Sequence, residues 1–160
     1  MYTNDESIQE LIKYADSGKI QLPDFQRGWV WDDERIKALI SSITQNFPVG
    51  AAMFLKYGNK NIRFKYHGIE GTVLEEDTIP EALILDGQQR LTSIYQALFC
   101  KKPVLTKTVK GQSIKRFYYI DIEKAINPSE DMLEAIISVP ENKMRTENFG
   151  KDIKLDVSTE

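Results

Sequence analysis

The chain is poor in the residues that most often carry metal, redox and nucleophilic chemistry. Among its 160 residues there is one cysteine and one histidine. A lone Cys100 excludes an internal disulfide and reads as a small apolar residue near a helix end, which fits a reducing cytoplasmic setting. A lone His67 excludes any site that needs two imidazoles. Net positive charge is also missing. The formal charge is −3, which argues against a tight, non-specific grip on nucleic acid by the chain as a whole, though a local basic groove stays open. No apolar run approaches the ~20 residues that span a bilayer, and the N-terminus is acidic rather than basic then apolar. The expectation is a soluble chain with no membrane partner.

What is there is a set of short amphipathic segments. Thr3-Asn4-Asp5-Glu6 has the form of a capping box, and Ile8, Leu11, Ile12 and Ala15 follow at helical spacing up to Gly18. Ile20 and Leu22 form a short extended piece ended by Pro23. Asp32 then caps a second helix with Ile36, Leu39, Ile40 and Ile43 on one face, finished before Pro48. Met53, Leu55 and Tyr57 alternate with other residues, and after Gly58-Asn59-Lys60-Asn61 so do Ile62, Phe64 and Tyr66, which predicts a β-hairpin. Residues 68–81 are acidic and aperiodic, a surface loop in this reading. A buried strand over 82–85 leads to a third helix with Leu91, Ile94, Tyr95, Leu98 and Phe99 on its packed face.

Beyond a Lys-rich connection at 101–115, Phe117 to Ile122 reads as a strand, and Met132, Leu133, Ile136 and Ile137 as a short helix. Residues 1–140 are assigned to one domain, and the polar tail 141–160 leads on to a further region of a longer protein. The fold class is α+β, a small mixed sheet flanked by helices.

Two stretches carry chemistry. Leu83-Ile84-Leu85 stops at Asp86-Gly87 and restarts as the helix Gln88-Gln89-Arg90-Leu91-Thr92. The first N–H groups of a helix lack intrahelical partners and carry the positive end of its dipole, so the turn suits an anion. Gly87 permits the tight turn, Gln88 and Gln89 offer amide donors, and Arg90 can fork onto phosphate. Asp86 can hold Mg²⁺ or orient a water. The plainer alternative has Asp86 capping the helix and Arg90 pairing with it at the surface.

The second stretch is Pro23-Asp24-Phe25-Gln26-Arg27-Gly28-Trp29-Val30-Trp31. Its rings are either core plugs or stacking surfaces, and an arginine among aromatics suits phosphate and base recognition.

These two motifs, with Phe47-Pro48-Val49-Gly50 between them, resemble the N-terminal domain of GmrSD-type modification-dependent restriction enzymes over about residues 5 to 125. The resemblance implies a fold like that of ParB and sulfiredoxin domains and a site that binds and hydrolyses a nucleoside triphosphate. By that resemblance Asp86, Gln88, Gln89 and Arg90 map onto the nucleotide motif and Gln26 and Arg27 onto the loop motif. The catalytic residues are then read as Asp86, Gln89 and Arg90, with Asp86 holding Mg²⁺ or positioning the water. Gln26, Arg27, Gly87, Gln88 and Thr92 are the nucleotide-binding ones. Trp29 stands where the family more often has tyrosine.

Full-length members continue into a His-Asn-His nuclease, which His67 cannot supply, so the enzyme label belongs to the whole protein more than to this piece. DNA is implied as a partner of that whole protein, and homo-oligomerisation is left open. Two other readings stand beside this one. In the first, the pocket senses nucleotide or modified DNA without hydrolysis. In the second, the fold cuts DNA directly, which needs a basic groove around Arg27, Arg63, Lys65 and Arg90.

Overall fold

The computed structural model describes residues 6–58, 64–127, 129–147 and 151–159. The chain forms two compact units. One is made of residues 1–29 and 50–95, the other of 30–49 and 96–160. Among the described residues, no helix is long and apolar enough to cross a membrane.

In the first unit, helix α1 (Ile8–Asp16) starts at Ser7, not at Thr3, which lies with residues 4 and 5 outside the described residues. Ser7 and Glu10 cap each other reciprocally, and the Ser7 hydroxyl and N–H hold the Glu10 carboxyl below its usual pKa. Strand β1 (Ile20–Pro23) is buried along its whole length and pairs parallel with β4 (Ala82–Asp86). The four-stranded sheet has the order β2 (Met53–Lys56), β4, β1, β3 (Tyr66–His67), with β2 and β3 antiparallel to their neighbours.

The hairpin expected from the alternation at 53–66 is therefore not formed by its strands. Each half pairs instead with a strand distant in sequence, because β1 and β4 are the buried strands of this sheet and offer two edges to cover. The turn residues 59–61 and Ile62 lie outside the described residues. Ile12, Leu22, Ile69, Leu83 and Ile84 form the fully buried centre, each side chain contributing about 1.5–3 kcal/mol. Ile69 corrects the reading of 68–81 as surface only: the loop drops one β-branched plug into the core.

Helix α3 (Gln88–Ile94) runs on into a π-helical turn, Tyr95–Phe99. Leu91, Ile94 and Tyr95 are buried as expected, but Leu98 and Phe99 are 47% and 45% exposed. The wider turn adds a residue to the repeat, so the apolar spacing no longer stays on one face.

In the second unit, α2 (Asp33–Thr44) is capped by the Asp32 carboxylate, which accepts from the Arg35 N–H at 2.9 Å. Its Ile36, Leu39 and Ile40 are buried, and the helix packs on β7 (Ile136–Pro140) and α5 (Met132–Ala135). Strands β5 (Val104–Lys107), β6 (Ser113–Ile120) and β7 form an antiparallel sheet in that order.

Three expectations are corrected in this unit. The Lys-rich connection contains β5, in which Val104 and Thr106 face inward while Leu105 and Lys107 are exposed. The strand read as Phe117 to Ile122 starts and stops earlier, and Ile122 opens the short helix α4 (Ile122–Ala125). Ile136 and Ile137 belong to a strand, since their β-branched side chains fit the ladder with Ile120 and Tyr119 better than a further helical turn. Past Glu141, β8 (Met144–Glu147) and β9 (Asp152–Asp156) pair antiparallel.

Candidate functional site

Strand β4 runs between β2 and β1 with Leu83 and Ile84 fully buried, then emerges at Asp86, whose side chain is 71% exposed. A register shift in β2 at Met53/Phe54 lies opposite that end. Gly87 turns the chain with φ +89°, and a Cβ there would meet Ala52 at 3.1 Å, so both backbone conformation and space call for glycine. Gly87 is also the helix N-cap, and no side chain caps the helix. The alternative in which Asp86 caps α3 is thus not realised, although its pairing with Arg90 is, at 3.4 Å.

Arg90 is anchored. Its Nη2 donates to the Ala51 carbonyl at 2.7 Å, and the guanidinium fills the space where a Cβ on Gly50 would stand. Gly50, at φ +93°, therefore lets the segment that follows the Phe-Pro-Val-Gly motif close over the arginine. The group is a fixed positive charge beside an exposed carboxylate.

The two glutamines of the turn spend their amides on the aromatic loop. Gln88, itself buried, donates to the Arg27 carbonyl at 2.7 Å, and Gln89 to the Gly28 carbonyl at 3.1 Å. From the other side Gln26 donates to the carbonyls of Ile84 and Leu85, at 2.6 and 3.0 Å. Trp29 completes the seam: its indole N–H reaches Ser93 Oγ at 2.8 Å, and Ser93 in turn donates to the Gln89 carbonyl.

Sequence reasoning brought Gln26, Arg27, Asp86, Gly87, Gln88, Gln89 and Arg90 forward, and all lie at this junction of loop, strand end and helix start. The amides hold backbone in place. What faces outward is the Arg27 side chain, exposed and carried by a loop bonded to the first turn of α3.

Thr92 is placed differently, fully buried, with a hydroxyl that finds no partner among the described residues. Of the three rings left open between core plug and stacking surface, Phe25 is 62% exposed and packs edge-on against Phe64 at 5.1 Å, while Trp29 and Trp31 are half-buried. His67 is exposed on β3, as expected of a surface residue. Arg63 lies outside the described residues.

Glu70 was not singled out by sequence. It accepts the Trp29 backbone N–H at 2.7 Å, and its second carboxylate oxygen is buried without a partner among the described residues. Its loop has no periodicity to mark it. Gly50 did lie inside the Phe-Pro-Val-Gly motif, and its φ and its closeness to Arg90 explain why a glycine stands there.

No cluster of three His, Cys, Asp or Glu side chains suited to a metal occurs among the described residues. An exposed Asp86 fits a different kind of Mg²⁺ site, in which one carboxylate acts with waters and phosphate oxygens rather than a closed protein cage.

The chain is similar to the "Uncharacterized protein MJ0686" of Methanocaldococcus jannaschii, 32% identical over 130 residues, or 79% of this chain and 22% of that protein. It thus spans about a fifth of the length of that relative. The family model described as "GmrSD restriction endonuclease, N-terminal domain" matches residues 8–158, which takes in the loop, the strand-turn-helix and the glycine that receives Arg90. The chain belongs to the GmrSD restriction endonuclease N-terminal domain family.

Proposed function

We propose that the junction at Asp86–Arg90 binds a nucleoside triphosphate and hydrolyses it with Mg²⁺, as the N-terminal part of a longer cytoplasmic DNA-restriction protein that acts in phage defence. One observation carries the reading. Gln26, Gln88 and Gln89 pin the Arg27 loop to the strand-turn-helix, so an exposed guanidinium, a fixed guanidinium and an exposed carboxylate come from one rigid junction.

In this mechanism Arg27 reaches the outer phosphates and Arg90 supplies fixed positive charge where negative charge builds up. Asp86 holds Mg²⁺ or positions the water that adds to the terminal phosphorus, releasing that phosphate. Mg²⁺, when bound, neutralises phosphate charge and polarises the bond that breaks. Gln88 and Gln89 act as positioning residues, through the loop they hold. Thr92 contributes from inside the core, by packing the helix, and not by touching the nucleotide.

Calorimetry across the four common nucleoside triphosphates, with and without Mg²⁺, tests binding. Arg27→Ala is expected to weaken affinity at least tenfold at unchanged melting temperature, because the side chain is exposed and packs no core. Asp86→Asn is expected to lower phosphate release at least tenfold. No binding by the folded wild type would overturn the proposal. Binding without phosphate release would leave a nucleotide sensor, a reading favoured by the Asp86–Arg90 pair, which holds the carboxylate toward its own helix.

A further inference from the structure

The second unit contains a cleft of about 370 Å³ whose wall includes Lys101, Lys102, Arg116 and Lys143 and, among the described residues, no carboxylate. Aromatic rings share that wall: Phe117 and Tyr119 line it, and the Lys143 ammonium lies 5.6 Å from the Phe117 ring centroid. The Arg116 Nε–H is buried and has no acceptor among the described residues. A buried guanidinium donor is costly unless an acceptor meets it, and four basic residues line this cleft.

The rest of the basic stretch is arranged differently. Lys115 pairs with Glu141 at 2.8 Å, while Lys107 and Lys110 are exposed and do not line the cleft. Concentrating cations beside rings, in a chain of net charge −3, is a local arrangement that overall composition hides.

From this we infer that the cleft binds one nucleotide unit of a single-stranded nucleic acid, its phosphate on Lys101, Lys102 and Arg116 and its base against the rings. Positive grooves interleaved with aromatics are how single strands are held, since every base has a face to stack and every unit a phosphate. The volume suits one nucleotide, at the lower end of the ~300–1,000 Å³ of small-molecule sites, and not the width of a duplex. The site shares no residue with the Asp86–Arg90 junction, so it stands or falls separately from the nucleotide hydrolysis proposed above.

The test is fluorescence anisotropy of a labelled twelve-residue oligothymidylate with the full chain, over a series of salt concentrations. The double variant Lys101→Glu/Lys102→Glu is compared with Lys107→Glu/Lys110→Glu, which changes net charge equally outside the cleft. All four side chains are exposed, and melting curves check that both variants fold. The first pair is expected to weaken binding at least tenfold and to flatten the log–log salt dependence by about 0.7, the share of the one phosphate no longer neutralised. The second pair is expected to leave the slope unchanged.

Equal weakening by both pairs would reduce the cleft to a share of general charge and overturn the inference, as would no binding by the wild type. Displacement of the oligonucleotide by equimolar free ATP from the wild type, and not by duplex, would also overturn it, assigning the cleft to a mononucleotide.

Discussion

The two units use polar side chains in opposite ways. At the Asp86–Arg90 junction the polar groups are mostly turned on backbone: Gln26, Gln88, Gln89 and Arg90 all donate to main-chain carbonyls, and only Arg27 and Asp86 are left outward. At the cleft of the second unit, cations and rings line an open space, and the buried Arg116 Nε donates to no described residue. The first arrangement stores precision, because each amide bond fixes a segment that carries a charged group. The second concentrates charge with little built-in geometry, which suits a ligand that repeats one unit along a strand. Stability and ligand binding should therefore be tied together through the backbone-holding amides of the junction, and be separable at the cleft.

The largest effect expected from breaking this contrast comes from Ile94→Asp. Ile94 is 4% exposed in the first unit, and an unpaired carboxylate there should cost more than about 4 kcal/mol, removing the cooperative melting transition and nucleotide binding together. A near-normal melt would mean that α3 does not pack on this face.

Gln88→Ala is the sharper probe of the junction. It leaves the Arg27 carbonyl without its donor and should lower stability by about 1–3 kcal/mol while weakening nucleotide binding, although Gln88 itself is buried and its amide is turned on backbone. Lost stability with unchanged affinity would break the link between loop position and ligand.

In the second unit, Tyr118→Phe should cost a similar or smaller amount, about 1–2 kcal/mol, by removing the 2.8 Å hydrogen bond to Asp33, which Ser138 also meets at 2.8 Å. Burial first, then the Asp33 carboxylate, pushes the Tyr118 phenol far above its ordinary pKa. A raised folded-state pKa gives stability that is present below the unfolded value of about 10 and lost as pH rises beyond it. The gap between wild type and Tyr118→Phe in chemical denaturation should accordingly narrow above about pH 10. A constant gap would show that the phenol is not held neutral by its surroundings.

Much of the fold was legible locally. The α2 cap at Asp32, the buried face Ile36-Leu39-Ile40, the strand that ends at Asp86 and the tight turn at Gly87 follow from patterns within a dozen residues. The failures have one physical cause. Residues 53–66 alternate as a hairpin should, yet β2 pairs with β4 and β3 with β1, since pairing depends on which edges the buried strands leave open. Ile136 and Ile137 fit a helical period and a strand equally well until β6 lies beside them.

The candidate site divides in the same way. By itself the sequence determined its ingredients: an apolar strand, a glycine turn, paired glutamines and an arginine at the start of a helix, and a second arginine among aromatics. Only the tertiary structure decided how they are spent. It turned the glutamine amides onto the Arg27 loop, seated Arg90 against Gly50 and Ala51, buried Thr92, and gathered Lys101, Lys102, Arg116 and Lys143 around one cleft. A hydrogen-bonding group is defined by its residue type, but its partner is fixed by which distant backbone the packed core brings within about 3 Å.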